Sequence, residues 1–193
     1  MTQDLHLTAD AVTVYFWGAK GGVGTSTVAA LHAIALARAG YPTTLTGLPP
    51  QLDDLAALLA VPTPIDRALD VNAITASAPS PALRPYAVID GGTDPGLGLS
   101  PSERYLVVRS CYLALRRATE TGVAGTHGIV LVVEAQRSLG QADVEDVLGL
   151  PVVATMDVTS TVARSIDAGL IAARRGSRLP LRWVDPAHWA TPA

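Results

Sequence analysis

The chain has 193 residues and a net charge of −3, and 49% of its residues are hydrophobic while 16% are charged. This length suits one α/β domain, the composition excludes a disordered or fibrous protein, and the acidic balance argues against a generally basic surface for nucleic acid. No apolar run approaches the ~18 residues of a membrane span, the N-terminus lacks a signal-peptide pattern and Cys111 is the only cysteine, so we expect a cytoplasmic protein without disulfides.

The first predicted elements are a strand, a glycine-rich loop and a helix. Residues 12–17 form an apolar, β-branched and aromatic run, which is typical of a strand. GAKGGVG follows, and TSTVAALHAIALARAG then predicts a helix that is buried on most sides. A second strand is predicted over 43–46 and a short helix over 51–60. Prolines interrupt the next stretch, which allows at most one brief helix over 65–73.

Strands alternate with helices through the remaining chain. The predicted elements are, in order, strands over 86–90 and 104–110, a helix over 112–121, a strand over 128–135, a helix over 141–148, a strand over 151–155 and a helix over 159–173. This alternation predicts a parallel β-sheet with helices on both faces, hence an α/β fold. We expect a single domain over 12–193, preceded by a short leader over 1–11.

The glycine-rich loop is a candidate phosphate site. A loop between a strand and a helix N-terminus directs several backbone N–H groups and the positive end of the helix dipole to one point. Ser26 is placed to offer a hydroxyl to Mg²⁺, and Asp90, at the end of a strand, is placed to complete the magnesium shell. The general P-loop pattern requires a lysine where this chain has Thr25. The only lysine in the sequence, Lys20, lies earlier in the same loop.

Several motifs resemble those of one family. AKGGVGTSTVAA resembles the deviant Walker A motif of the ParA/MinD-type P-loop ATPases, YAVIDGG resembles their second acidic motif, and LGLPVVATM with TVARSIDAG resembles their late strand and helix. The string KGGVGTST is most similar to TadZ/CpaE-like members, whose Walker A motif is degenerate. The resemblance implies a P-loop NTPase fold, ATP and Mg²⁺ as cofactors, and a homodimer in which the signature lysine, Lys20, reaches the partner's phosphates. It also implies nucleotide contacts from Gly21, Gly22, Val23, Gly24, Thr25, Ser26 and Thr27.

The chain also departs from the family pattern. The loop lysine is replaced by Thr25, and Gly47 and Pro49 stand where an Asp-x-Asp-like motif would help to position the attacking water. Asp53 and Asp54 lie nearby, but the start of a helix favours a capping role for them. We therefore predict an ATP-binding positioning or partitioning protein, a nucleotide-dependent dimeric switch or scaffold that has slow or absent hydrolysis.

Other functions stay open at this stage. The alternatives are a pseudo-ATPase assembly or filament protein that does not respond to ATP, a ligase-like enzyme of the same superfamily, and a nonspecific DNA-binding partition protein. A protein partner or cargo adaptor is expected, and membrane binding is less favoured. Glu134 and Asp157 end predicted strands and are candidates for a base pocket. The four histidines have no metal spacing, and Cys111 is expected to be a small buried side chain. DNA contacts would use the basic segment Arg164, Arg174, Arg175, Arg178 and Arg182.

Overall fold

A computed structural model of the chain describes residues 10–49, 51–62, 68–173 and 179–185. In this part of the chain the strands and helices alternate almost throughout, as the sequence predicts. Their bounds, in chain order, are β1 Val12–Trp17, α1 Thr25–Arg38, β2 Thr43–Gly47, α2 Gln51–Leu59, β3 Leu69–Asp70, α3 Val71–Thr75, β4 Tyr86–Asp90, β5 Glu103–Arg109, α4 Tyr112–Thr121, β6 Gly128–Glu134, α5 Gln141–Leu148, β7 Val152–Val158, α6 Ser160–Asp167 and β8 Leu181–Trp183.

The strands form one eight-stranded sheet in the order β3-β2-β4-β1-β5-β6-β7-β8. The six central strands are parallel, and β3 and β8 pair antiparallel at the two edges. α1 packs with α2 and α3, while α4 packs with α5, so helices cover both faces of the sheet. The predicted α/β fold, a mostly parallel sheet with helices on both faces, is confirmed.

The core lies between α1 and the central strands. β1 is buried from Val14 to Trp17, and most residues of α1 are buried because the helix carries few polar side chains. His32 of α1 is buried with its ring 5.4 Å from that of Phe16 and 5.2 Å from that of Trp183, measured between centroids. This histidine is a structural residue of the aromatic core. Burial of apolar area at this scale is the main favourable contribution to folding.

Two predicted helices differ from the observed ones. The helix predicted over 159–173 ends at Asp167, because Gly169 adopts a left-handed conformation, with φ +65°, that stops the helix. The brief helix predicted over 65–73 lies in part outside the described residues; the observed helix is α3. It begins after Asp70, whose side chain accepts a hydrogen bond from the Ala73 N–H at 3.1 Å. The short edge strands β3 and β8 were not predicted, because pairs and triplets of residues carry no periodic pattern.

The segment 91–102, between β4 and β5, crosses the sheet as an irregular loop. It is held by Tyr15, whose hydroxyl donates to the Asp94 carbonyl at 2.9 Å, and by Arg104, which donates to the Gly96 and Leu99 carbonyls at 2.8 Å each. Only 7% of Arg104 is exposed, and its guanidinium lies 6.0 Å from the centroid of the Tyr15 ring. These contacts anchor the loop that follows Asp90 to the centre of the sheet.

Candidate functional site

The phosphate loop lies where β1 ends and α1 begins. Gly24 precedes the first helical residue in a left-handed conformation, with φ 102°, which favours glycine, and its carbonyl accepts the first helical hydrogen bond from Val28 N–H at 2.9 Å. The N–H groups of the first turn of α1 therefore face the loop without helical partners. The backbone has the arrangement that binds phosphate in other proteins.

Thr25, which stands where the general P-loop pattern has a lysine, packs beside Gly18. A Cβ atom placed on Gly18 would lie 2.4 Å from Val23 Cγ2 and 2.7 Å from Thr25 Oγ1, so these two side chains fill the space beside Gly18. Thr25 is 8% exposed. Its hydroxyl is turned toward the end of β1 and supplies no positive charge to a phosphate group.

Lys20 is the positive side chain of the loop. It is half-buried, and its Nζ donates to the adjacent Gly21 carbonyl at 3.0 Å. Lys20 lines the same cavity as Gly21, Gly22, Gly24, Thr25, Ser26 and Thr27. The structure thus brings these predicted site residues together, whereas the buried Val23 packs in the core.

Asp90 lies behind the cavity wall, next to Gly92 and Ser26. It is fully buried at the end of β4, beside Phe16 of β1 and Gly47 of β2, and its Oδ1 accepts a hydrogen bond from Gly92 N–H at 2.9 Å. Oδ2 is buried and makes no well-formed hydrogen bond among the described residues. Burial raises the pKa of Asp90, and the neighbouring Ser26 side chain and Gly92 N–H oppose that rise. A buried carboxylate oxygen that lacks a well-formed hydrogen bond and lies near a hydroxyl suits a bound cation.

A cavity of about 440 Å³ lies above the loop. Its other walls come from α2, the residues after β4 and the end of α6. The glycine turn after α6 contacts α2 directly, since a Cβ on Gly169 would lie 2.9 Å from the Ala57 carbonyl oxygen. The lining residues outside the phosphate loop are Gln51, Asp54, Ala57, Leu58, Gly92, Thr93, Ile166 and Asp167.

Several of these residues were missed by sequence reasoning. Gln51 and Thr93 belong to no quoted motif, and Ile166 lies in TVARSIDAG without an assigned role, so only the fold brings them to the loop. Asp54 was assigned a capping role, yet it is exposed and lines the cavity. The order of the elements could have predicted that α2 lines the cavity. α2 follows the carboxyl end of a strand next to β4, and ligands of open α/β sheets bind at that edge.

Glu134 and Asp157 do not line this cavity. Glu134 pairs with Arg109 at 2.9 Å and with Arg137 at 2.6 Å, and Asp157 pairs with Arg182. Both carboxylates have cationic partners, and their role in a base pocket stays a prediction. Cys111 is half-buried and packs against the core, so its predicted full burial is corrected.

The predicted basic segment is described only in part. Arg164 is exposed on α6 and Arg182 is paired, whereas Arg174, Arg175 and Arg178 lie outside the described residues. Within the described ranges, no helix is long and apolar enough to cross a membrane. The same ranges contain no group of three or more His, Cys, Asp or Glu side chains arranged to hold a metal ion.

A parallel sheet with a glycine loop between β1 and α1, and a buried carboxylate at the end of the adjacent strand, defines a P-loop NTPase fold. In particular, the fold is of the ParA/MinD type. A chain of the MinC:MinD cell division protein complex of Aquifex aeolicus has a TM-score of 0.63 and 17% identity, covering 90% of this chain and 99% of that chain.

Two further solved structures agree with this fold. A ParA family ATPase from Chlorobium tepidum gives a TM-score of 0.59 at 19% identity, with 89% of this chain and 96% of that chain covered. The septum site-determining protein MinD of Pyrococcus horikoshii, complexed with Mg-ADP, gives 0.59 at 17% identity, with 86% and 90% covered. No protein-family model matches the sequence, and no curated protein matches it. At these identities the similarity establishes the fold.

Proposed function

We propose that this chain is an ATP-binding positioning protein of the ParA/MinD kind, a nucleotide-dependent dimeric switch or scaffold whose turnover is slow. The observation that carries the proposal is the pairing of an intact backbone cradle with Asp90 Oδ2, which is buried without a well-formed hydrogen bond. Similar solved structures include a MinC:MinD cell division protein complex and a septum site-determining protein MinD complexed with Mg-ADP. A protein partner or cargo adaptor belongs to this proposal.

The residues present fit Mg-ATP. Backbone N–H groups from Gly21 to Thr27 would hold the phosphates, with Lys20 as the cation. Ser26 and Asp90 would hold the magnesium ion, which supplies charge neutralisation between the phosphate oxygens. The cavity has the size of a typical small-molecule site.

Loss of the loop lysine weakens binding without abolishing it. One charge-assisted hydrogen bond contributes about 1.5–3 kcal/mol, which corresponds to roughly 10- to 150-fold in affinity. The backbone cradle and the magnesium ligands do not depend on that lysine. We therefore expect dissociation constants in the micromolar range.

Restoring the lysine tests this account of affinity. We expect Thr25→Lys to tighten Mg-ATP binding by about 10- to 150-fold, because a charge-assisted hydrogen bond is regained at the start of α1. Thr25→Met is the matched control, since it adds similar bulk without charge. Equal affinities for the two variants, measured by calorimetry, would show that the charge has no role.

A scaffold that does not respond to ATP is the second candidate function. It is favoured by the anchoring of the loop after Asp90 on Tyr15 and Arg104, because a fixed loop transmits no nucleotide signal. A nucleotide-dependent change of dimer mass separates this candidate from the switch. DNA binding through Arg164, Arg174, Arg175, Arg178 and Arg182 remains a prediction.

The direct test is a titration with a fluorescent ATP analogue and Mg²⁺ while light scattering follows the mass. We expect micromolar binding, dimer formation on adding ATP, and at least a tenfold loss of affinity in Lys20→Ala. Arg116→Ala is the matched control, because it removes one exposed positive charge on α4 far in sequence from the loop. No binding at millimolar nucleotide would reject the switch and leave the scaffold.

A further inference from the structure

Gln51, the first residue of α2, lies at the edge of the cavity between the ends of two parallel strands. A Cβ placed on Gly92, just after β4, would lie 2.3 Å from Gln51 Nε2 and 2.6 Å from its Cδ. The carboxamide therefore rests directly on the Gly92 backbone. It also lines the cavity above the phosphate loop.

Two glycines create the space that this side chain fills. Gly47, at the end of β2, is the second, and a Cβ placed there would lie 3.0 Å from Gln51 Cβ and 3.4 Å from the Asp90 carbonyl oxygen. A side chain at 47 would make a tight contact that requires Gln51 to shift by a few tenths of an ångström. Gly47 is also the position where the family resemblance places a carboxylate. The glycine that replaces this carboxylate leaves the space in which Gln51 packs.

The carboxamide is at the metal end of the cavity. Gly92 N–H donates to Asp90 Oδ1 at 2.9 Å, and Gly92 O accepts from Gly18 N–H at 2.9 Å, so Gly92 links the magnesium carboxylate to the phosphate loop. A magnesium ion held by Ser26 and Asp90 would neutralise charge on the phosphates bound by the loop. Gln51, in contact with Gly92, therefore lies on the side of the cavity where the residues that would hold the ion are found.

Within the described residues the Gln51 side chain has no hydrogen-bond partner. Its amide offers an acceptor oxygen and a two-proton donor, which suit a water molecule on one side and a phosphate oxygen on the other. It carries no charge, so it can approach the buried Asp90 and the phosphates without repulsion. A glutamine orients the attacking water in other P-loop NTPases.

We propose that Gln51 positions the attacking water for a slow, magnesium-dependent hydrolysis of ATP by this chain, a role that rests on the nucleotide binding proposed above. The water oxygen forms a bond to the γ-phosphorus as the bond from that phosphorus to the β,γ-bridging oxygen breaks. ADP takes the bond electrons, and the water proton passes to the released phosphate. Gln51 accepts no proton and acts through the orientation of the water.

The experiment measures ATP turnover and Mg-ATP affinity separately in the full chain. Gln51→Ala is expected to lower kcat by about 10- to 100-fold, because misplacement of a reacting water costs this much, while the dissociation constant stays within about twofold. Gln51→Glu keeps the length and one acceptor, so it is expected to recover part of kcat. Its kcat should fall as pH rises and the new carboxyl ionises, because the charged form is repelled by Asp90 and by the phosphates; the wild type lacks this limb. Asp53→Asn, an exposed neighbour on α2, is the matched control and should leave kcat unchanged.

Each result decides between the two proposals. If Gln51→Ala turns over ATP as fast as the wild type, the water-positioning role is overturned and the nucleotide binding still stands. The same holds if the wild type turns over ATP no faster than Asp90→Asn. A wild type that binds no Mg-ATP rejects the proposed function and this inference together. A Gln51→Glu profile that follows the wild type at every pH would show that the side chain has only a structural role.

Discussion

Asp90→Asn is expected to raise the thermal stability of the nucleotide-free protein while abolishing its magnesium-dependent binding of ATP. Burial raises the pKa of Asp90, so the folded state loses stability as pH rises through that raised pKa and the carboxylate becomes charged. An amide is uncharged at every pH and removes this cost. Removal of the cost of one buried charge is worth about 1–3 kcal/mol, or roughly 2–10 °C in Tm for a chain of this size.

The pH dependence makes this prediction specific. Below the ordinary pKa of an aspartate, the folded and unfolded states both bind the proton, so wild type and Asp90→Asn should have the same Tm. The difference between their Tm values should grow as the pH rises. Affinity for Mg-ATP in the wild type should fall as pH is lowered through the raised pKa of Asp90, because magnesium needs the ionised carboxylate. Thermal melts and titrations at several pH values measure both effects. A variant that melts below the wild type at neutral pH, or that keeps magnesium-dependent binding, would contradict the assignment of Asp90.

Among single Gly→Ala substitutions in the loop after β4, Gly91→Ala is expected to be the most destabilising. Its Cβ would lie 2.2 Å from Tyr15 Oη, 2.4 Å from Cζ and 2.7 Å from Cε1, which are distances that require the ring or the backbone to move. Tyr15 is fully buried and held by the Asp94 carbonyl, so movement breaks core packing. Overpacking of this kind costs about 1–3 kcal/mol or more, measured by urea unfolding.

A control and a rescue separate this cause from a general effect of loop mutation. Gly98→Ala adds the same methyl group in the same loop, but nothing lies within 4 Å of its Cβ, so we expect a change within about 0.5 kcal/mol. In a Tyr15→Leu background the cost of Gly91→Ala should shrink, giving a coupling energy of about 0.5–3 kcal/mol. Additive effects in this double-mutant cycle would mean that Gly91 and Tyr15 do not interact.

Local sequence was enough for the parts of the site that lie next to one another in the chain. β1, the glycine loop and α1 are adjacent segments with strong apolar, glycine and helical patterns, so the cradle was predictable from the sequence. Asp90 was predictable as well, because a run of buried apolar residues that ends in a carboxylate marks the end of a parallel strand. The alternation of strands and helices was sufficient for the sheet.

Contacts between distant segments could not be predicted in this way. Gln51 reaches the site because Gly47, at the end of β2, and Gly92, just after β4, both lack a side chain. No local sequence pattern shows that these two glycines are neighbours. The pairing of Glu134 with Arg109 and Arg137 likewise depends on which strands become neighbours. The early end of α6 depends on Gly169, which is left-handed and packs against Ala57 of α2. The helical periodicity of the sequence does not report this contact.

The contact between Gly169 and Ala57 has a mechanical consequence. It packs the turn after α6 against the middle of α2, although these segments are far apart in the chain. α2 follows β2 and α6 follows β7, which lie on opposite sides of β1 in the sheet. Both segments line the same cavity, so a molecule bound there would contact both of them. Filling the cavity would thus tie the two halves of the sheet into one cooperative unit, and amide hydrogen exchange in α2 and α6 should slow in step.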